Sequence, residues 1–225
     1  MIKLPYPDVN FRCSEEDWPW RYADKGMNGN RGGTRPDQLI HPPYEPMPLE
    51  DIYKCQSEVV RTLSPSCHRW VWTVEPFLVD TILMLKNFGF EVKRQFIWVK
   101  TTDGLSKRLK GLSRFSPQRI REALEVMVSI GYPGKPYPRG GGRYWGKTCC
   151  EYLLLATNDR SFQILNRKKE SQVFFAPSPE HSAKPDIAYE IIKRNSPGPR
   201  LSLFQRTPRE GFECWGDQLK EAASE

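Results

Sequence analysis

The feature that most limits the fold of this chain is an alternation of element types running from residue 69 to residue 204. Arg69-Trp70-Val71-Trp72-Thr73-Val74 is rich in aromatic and β-branched residues and reads as a strand. Pro76 suits the first turn of a helix, and Phe77, Leu78, Ile82, Leu83 and Leu85 give that helix an apolar stripe ending before Gly89. Residues 92–99 read as the next strand, and Ser116-Pro117 opens a helix carrying Ile120, Leu124, Met127 and Val128. Residues 151–157 and 173–176 read as strands. A helix over 185–194, with Ile187, Ala188, Ile191 and Ile192 on one side, leads to a strand over 200–204. Strands separated by helices imply β-α-β units, and therefore an α/β fold with a mostly parallel central sheet flanked by helices. In such sheets ligands sit at the carboxyl ends of the strands, where the segments after Asp17, Lys100 and Phe204 would converge.

Ahead of this alternation, residues 9–14 read as a short strand ending at Glu15-Glu16-Asp17-Trp18-Pro19-Trp20, and residues 49–63 as a helix burying Ile52, Val59 and Val60. Residues 21–48 have little apolar periodicity, and a loop of that length in a compact domain is usually a lid or a binding loop. A length of 225 residues suits one domain over 1–225, with 219–225 as a tail. The apolar runs are too short to span a bilayer, and the first residues lack the basic-then-apolar pattern of a signal peptide. Six cysteines are scattered without a C-x-x-C pair, which suggests free thiols, no metal site and a reducing, cytoplasmic compartment.

The formal net charge of +7 favours a polyanionic partner. Two loops concentrate that charge. Residues 100–114 hold Lys107, Arg108, Lys110 and Arg114, and residues 132–148 interleave Lys135, Arg139, Arg143 and Lys147 with Tyr137, Tyr144 and Trp145. Lysine and arginine would meet phosphates there, while an aromatic fills the gap left by an extruded base. Gly141 to Thr148 also fits the pattern G-x-x-x-x-G-K-T, but a phosphate-binding loop needs a strand before it and a helix after it. Here a Pro/Gly loop precedes and an apolar strand follows, so the match carries no nucleotide chemistry.

The most informative tetrapeptide is Asp17-Trp18-Pro19-Trp20. An acid, a proline and an aromatic at a strand end resemble the D-P-P-[WYF] signature of adenine amino-methyltransferases. The N6 lone pair of adenine is delocalised into the ring and is a poor nucleophile. A carboxylate and a nearby carbonyl accepting the amine's hydrogens draw it toward tetrahedral geometry, and that interaction strengthens as positive charge develops on nitrogen. The aromatic offers the flipped base a stacking face.

Four further stretches follow in order: Tyr44-Glu45-Pro46-Met47-Pro48-Leu49-Glu50-Asp51-Ile52, then Phe96-Ile97-Trp98-Val99-Lys100-Thr101, then 146–158 with Glu151 before the apolar run, and last His181-Ser182-Ala183-Lys184-Pro185 leading to Leu203-Phe204-Gln205-Arg206 and Trp215-Gly216-Asp217-Gln218-Leu219. Taken together the chain resembles the adenine N6-methyltransferase family of the messenger-RNA methyladenosine writers and their bacterial and phage DNA relatives.

The resemblance implies a single Rossmann-like methyltransferase domain using S-adenosylmethionine, acting on DNA, with RNA as the alternative polymer. It implies catalytic Asp17, Pro19 and Trp20. Cofactor contacts would come from Ser182, Lys184 (to the methionine carboxylate), Phe204, Arg206, Arg209, Asp217 and Gln218, and target-base or nucleic-acid contacts from Tyr22, Tyr44, Lys100, Glu151, Arg143 and Lys147. A bacterial or phage-infected cell is the expected setting, with a homodimer or a heterodimer with a related subunit left open. Three positions depart from the family: Trp18 replaces a proline, Ser202 stands where many members carry an acid, and Pro208 replaces a polar residue. Trp18 sustains the alternative of a catalytically silent subunit that binds cofactor or nucleic acid.

Overall fold

Among the described residues seven strands form one sheet. The structure is a computed structural model describing residues 4–6, 10–21, 45–101, 116–119, 121–122, 150–158, 165, 170–177, 183–216 and 219. The strands are β1 (Phe11–Glu16), β2 (Leu63–Thr73), β3 (Glu91–Thr101), β4 (Cys150–Thr157), β5 (Val173–Pro177), β6 (Arg200–Leu203) and β7 (Glu213–Trp215). Their order across the sheet is β5-β3-β4-β2-β1-β6-β7. β2, β1, β6 and β7 run parallel as neighbours, as do β3 and β5, while β4 lies antiparallel between β2 and β3. The expected α/β, mostly parallel sheet is therefore present, with one reversed strand in its middle. Among the described residues no helix is long and apolar enough to cross a membrane.

Alternation along the strands builds two cores. Phe11, Val71, Leu154, Leu201 and Leu203 face one side with Ile52, Val59, Met84 and Leu85. Cys13, Trp70, Trp72, Trp98, Leu153 and Leu155 face the other with Ala188, Ile191 and Ile192. Period-two patterning of a sheet covered on both faces predicts this partition. Each indole on the second face finds an acceptor or a hydroxyl: Trp70 donates to Ser196 Oγ at 2.7 Å, Trp72 to Glu15 Oε1 at 2.8 Å and Trp98 to the Ala176 carbonyl at 3.0 Å.

Helix α1 (Leu49–Arg61) follows Pro48 and carries Glu50 and Asp51 in its first turn, where the helix dipole favours acids. It buries Ile52, Cys55, Gln56 and Val59, an i, i+3, i+4, i+7 stripe, with Val60 only half-buried. Helix α2 (Leu78–Asn87) is entered through a 3-10 turn at Glu75–Phe77 and closed by Gly89, whose φ of +83° suits a residue without a Cβ. Its buried face is Thr81, Met84 and Leu85, while Ile82 and Leu83, expected inside, are exposed. Thr81 earns its place by bonding to the Phe77 carbonyl and the Thr73 hydroxyl at 2.7 and 2.8 Å, which satisfies its hydroxyl within the protein. Helix α3 (Asp186–Asn195) buries Ala188, Tyr189, Ile191, Ile192 and Asn195 and leaves Ile187 at the surface.

Several strand boundaries differ from the sequence reading, among them the start of β2, which lies at Leu63 rather than Arg69. β1 continues through Glu15 and Glu16, both fully buried, and β7 is a three-residue strand, too short to leave a periodic signal. Of the helix expected after Ser116, residues 117–119 and 121–122 are helical and the remainder lies outside the described residues.

Candidate active site

The carboxyl ends of β1 and β3 open at the same edge of the sheet. Because β4 is reversed, its first residues reach that edge too. Asp17 follows directly on β1, Lys100 lies near the end of β3, Glu151 near the start of β4, and Lys184 just ahead of α3. The Lys184 Nζ lies 3.0 Å from Asp17 Oδ1 and 2.9 Å from Glu151 Oε2, and the Lys100 Nζ 2.5 Å from Glu151 Oε1. Two lysines and two acids thus alternate in one chain of ion pairs. Both ammonium groups also rest over indoles, Lys184 over Trp72 at 5.2 Å and Lys100 over Trp98 at 5.1 Å.

Burial and charge compete at each member. Burial pushes the Asp17 carboxyl up and the Glu151 charge adds to this, and the pull of Lys184 does not fully offset them. Burial pushes Glu151 up as well, but Lys184 and Lys100 outweigh it and hold that carboxyl below the usual range. Lys184 is raised above its ordinary value because its two carboxylates outweigh the cost of burying it. At neutral pH Lys184 is therefore charged, and Asp17 is a stronger proton acceptor than a surface aspartate.

Beneath Asp17, its two preceding acids point to opposite faces. Glu16 receives a bidentate pair from fully buried Arg69 at 2.8 and 2.7 Å, together with Ser14 Oγ at 2.7 Å and the Trp18 indole at 3.0 Å. The same guanidinium donates to Gln56 of α1 at 2.7 Å. Glu15 receives the Trp72 indole, the Gln205 amide at 3.0 Å and the hydroxyl of Ser202, its register partner on β6. These partners explain how two acids remain inside a central strand. Their signal in the sequence is the acidic pair itself, since a buried acid demands a partner.

Phe204, at φ +63°, packs on Trp18 at 4.7 Å and on Trp215 at 5.5 Å, which joins the end of β6 to the Asp17 turn. Arg209 pairs with Asp186 at 2.6 Å, lies 4.4 Å over the Tyr189 ring and donates to the Lys184 carbonyl at 3.4 Å. Arg206 acts electrostatically on Asp17, lowering its pKa. Pro19 and Trp20 are buried. The Pro19 carbonyl accepts the Met47 amide at 2.7 Å, and the Trp18 carbonyl accepts the Trp20 amide at 2.9 Å. The Trp20 ring stacks on Phe77 at 5.0 Å, so one of the faces expected to receive a base is occupied by protein.

The structure thus brings together Asp17, Lys100, Glu151 and Lys184, with Phe204 alongside through Trp18. It gives Lys184 to two side-chain carboxylates and Lys100 to Glu151, where the sequence assigned them to cofactor and base. Tyr22, Tyr44, Arg143, Lys147, Ser182, Asp217 and Gln218 lie outside the described residues.

The MT-A70 family model matches residues 126–218, a span that includes Glu151, Lys184, Phe204, Arg206 and Arg209. The type II methyltransferase M.MunI of Mycoplasma sp is 23% identical over 225 residues, covering 95% of this chain and 79% of that protein. With the Rossmann-like sheet and the acid at the end of β1, these two matches make the chain similar to the MT-A70 family over residues 126–218 and to a type II methyltransferase along most of its length.

Proposed function

We propose that the chain transfers a methyl group from S-adenosylmethionine to the N6 amine of adenine in DNA, with Asp17 as the catalytic acceptor. The observation that carries this reading is the Asp17 carboxylate. It stands at the carboxyl end of a central strand, keeps 28% of its side-chain surface exposed, and shares its lysine with Glu151.

The donor set fits the cofactor. S-adenosylmethionine carries a carboxylate, an ammonium and a sulfonium, and this edge of the sheet offers one lysine between two acids, with Phe204 joined to the Asp17 turn through Trp18. When bound, it supplies an electrophilic methyl group. Lys184 would hold the cofactor carboxylate, Phe204 would line the pocket, and Arg206, Arg209, Asp217 and Gln218 would serve the adenosine end.

On the substrate side, Asp17 accepts one N6 hydrogen. The Trp18 carbonyl has a second lone pair beyond the one used by Trp20, and it accepts the other hydrogen. Both contacts strengthen as the nitrogen gains positive charge, and the raised pKa of Asp17 suits it to receive the proton the nitrogen sheds. Glu151 and Lys100 border the base. The basic loops over 100–114 and 132–148 would hold phosphates in a bacterial or phage setting.

The deciding experiment incubates the full chain with methyl-labelled S-adenosylmethionine and unmethylated DNA or RNA, followed by nucleoside mass spectrometry. Label in N6-methyladenine from DNA is the expected result. Label from RNA alone would replace the polymer in this reading. Cofactor binding without label in either would overturn it in favour of a silent subunit.

A further inference from the structure

Strand pairing on β1 ends at Glu16, whose last register partners are Val71 on β2 and Leu203 on β6. Asp17 is one residue beyond the last register pair of the ladder. Glu16 and Trp18, two residues apart, lie on the same face of an extended chain and bond to each other, indole N–H to carboxylate at 3.0 Å. Asp17 between them is turned to the opposite face, where Lys184 and Glu151 wait.

The clamp is anchored at both ends. Glu16 is fixed by the Arg69 fork and by Ser14, and through Arg69 to Gln56 of α1. The Trp18 ring is 2% exposed and packs against Phe204. A proline at this position would restrict the turn by fixing its own φ. Tryptophan has no such ring closure, and in this chain a side-chain bond across Asp17 supplies the constraint instead.

We propose that Trp18 is a positioning residue, whose indole bond to Glu16 aims the Asp17 carboxylate and the Trp18 carbonyl at the target amine and whose ring ties that turn to Phe204. The proposal rests on the methyl-transfer reading above. It makes the departure at Trp18 a substitute for the family's proline rather than a lesion.

The test compares the parent with Trp18→Phe, which keeps an aromatic ring against Phe204 while removing the N–H donor and part of the ring's volume. Turnover, KM for DNA, the S-adenosylmethionine dissociation constant and the melting midpoint are each measured. Loss of the bond that aligns the Asp17 turn predicts a fall in kcat of about tenfold, with KM and cofactor affinity within about twofold. A residue that is only structural would lower the melting midpoint and leave kcat of the folded enzyme unchanged, and that outcome overturns the proposal. Trp18→Pro against Trp18→Ala provides the second arm: proline restores a backbone constraint by another route and should turn over faster than alanine. Equal rates for these two would also overturn it. A parent that binds cofactor but methylates neither polymer overturns the underlying reading, a result distinct from an active parent indifferent to Trp18→Phe.

Discussion

Lys184 and Asp17 meet at 3.0 Å across the end of the sheet, and the same ammonium reaches Glu151 at 2.9 Å. This shared counter-ion makes the two ends of the Asp17–Lys184 pair unequal. Removing Asp17 leaves Lys184 with Glu151, and no buried charge is abandoned. Asp17→Ala should therefore lower kcat by at least about a thousandfold, in the range of lost transition-state contacts, while the melting midpoint and cofactor affinity change little. Near-normal turnover in a single-turnover assay would remove Asp17 from its catalytic role.

Removing Lys184 instead leaves two partly buried acids facing each other without their common cation. Lys184→Met should cost about 3 kcal/mol of stability, since breaking a buried pair exposes the remaining charges to an unfavourable interior. It should also weaken cofactor binding by at least about tenfold. Urea denaturation and titration calorimetry would read the two effects separately. Stability matching that of Asp17→Ala would show that the network does not depend on its central lysine.

The Arg69–Glu16 pair carries a different expectation, because both side chains have no exposed surface. Glu16→Leu should destabilise by roughly 3–5 kcal/mol, mostly by stranding the guanidinium. The double replacement Glu16→Leu with Arg69→Met removes both charges and should recover much of that loss, so the two effects will be strongly non-additive. Additive losses in a urea double-mutant cycle would mean that the pair is not coupled as its geometry implies.

These particulars also show what a sequence reveals and what it hides. Asp17, Lys100, Glu151 and Lys184 each sat in a recognisable motif, and a parallel sheet brings the strand ends at Asp17 and Lys100 together, so that part of the convergence was foreseeable. The direction of β4 was not, because alternation with period two reads the same along either direction of a strand. Glu15 and Glu16 looked like the end of a strand because their partners, Ser202 and Arg69, are remote in sequence. Thr81 took the buried place expected for Ile82 because its hydroxyl is satisfied locally, by the Phe77 carbonyl in the preceding turn. Lys184 and Lys100 were assigned to ligands, and the carboxylates that the folded chain itself supplies to both left no sign in the sequence.

Glu15 predicts a pH dependence of stability. Burial pushes its carboxyl up to about 8, and although the Ser202 hydroxyl, Lys184 and the Trp72 indole all pull it down, the Asp17 charge adds to the rise. The folded chain therefore holds a proton between about 4.5 and 8 that the unfolded chain has released. The stabilisation is full below the ordinary glutamate value and is lost as pH rises through the folded one. His68 works in the opposite sense at lower pH: burial, with Arg12 adding, holds its pKa down to about 4, so its contribution grows as pH rises toward 6.5 and then levels off. The clean window for Glu15 is thus pH 6.5 to 8.5. Across it the parent's melting midpoint should fall, and that of Glu15→Gln should stay flatter. Parallel curves would exclude Glu15 as the titrating group.

Gly216 links the last strand to the centre of the site. A Cβ built there would come within 2.1 Å of the Gln205 carbonyl oxygen and 2.8 Å of its nitrogen, both backbone atoms that cannot swing aside. That stretch of Gln205 is held by its own amide bond to the Trp215 carbonyl at 3.1 Å, and its side chain bonds Glu15 at 3.0 Å and Tyr189 at 2.9 Å. Gly216→Ala must therefore separate β7 from the turn after β6, or shift Gln205 away from Glu15. Either route costs about 1–3 kcal/mol by overpacking and disturbs the turn that carries Phe204. The expected result is a lower melting midpoint together with weaker cofactor binding, and circular dichroism should show the sheet retained. A Gly216→Ala protein that melts with the parent and binds S-adenosylmethionine equally well would mean that this close approach of two backbones is not needed to shape the site.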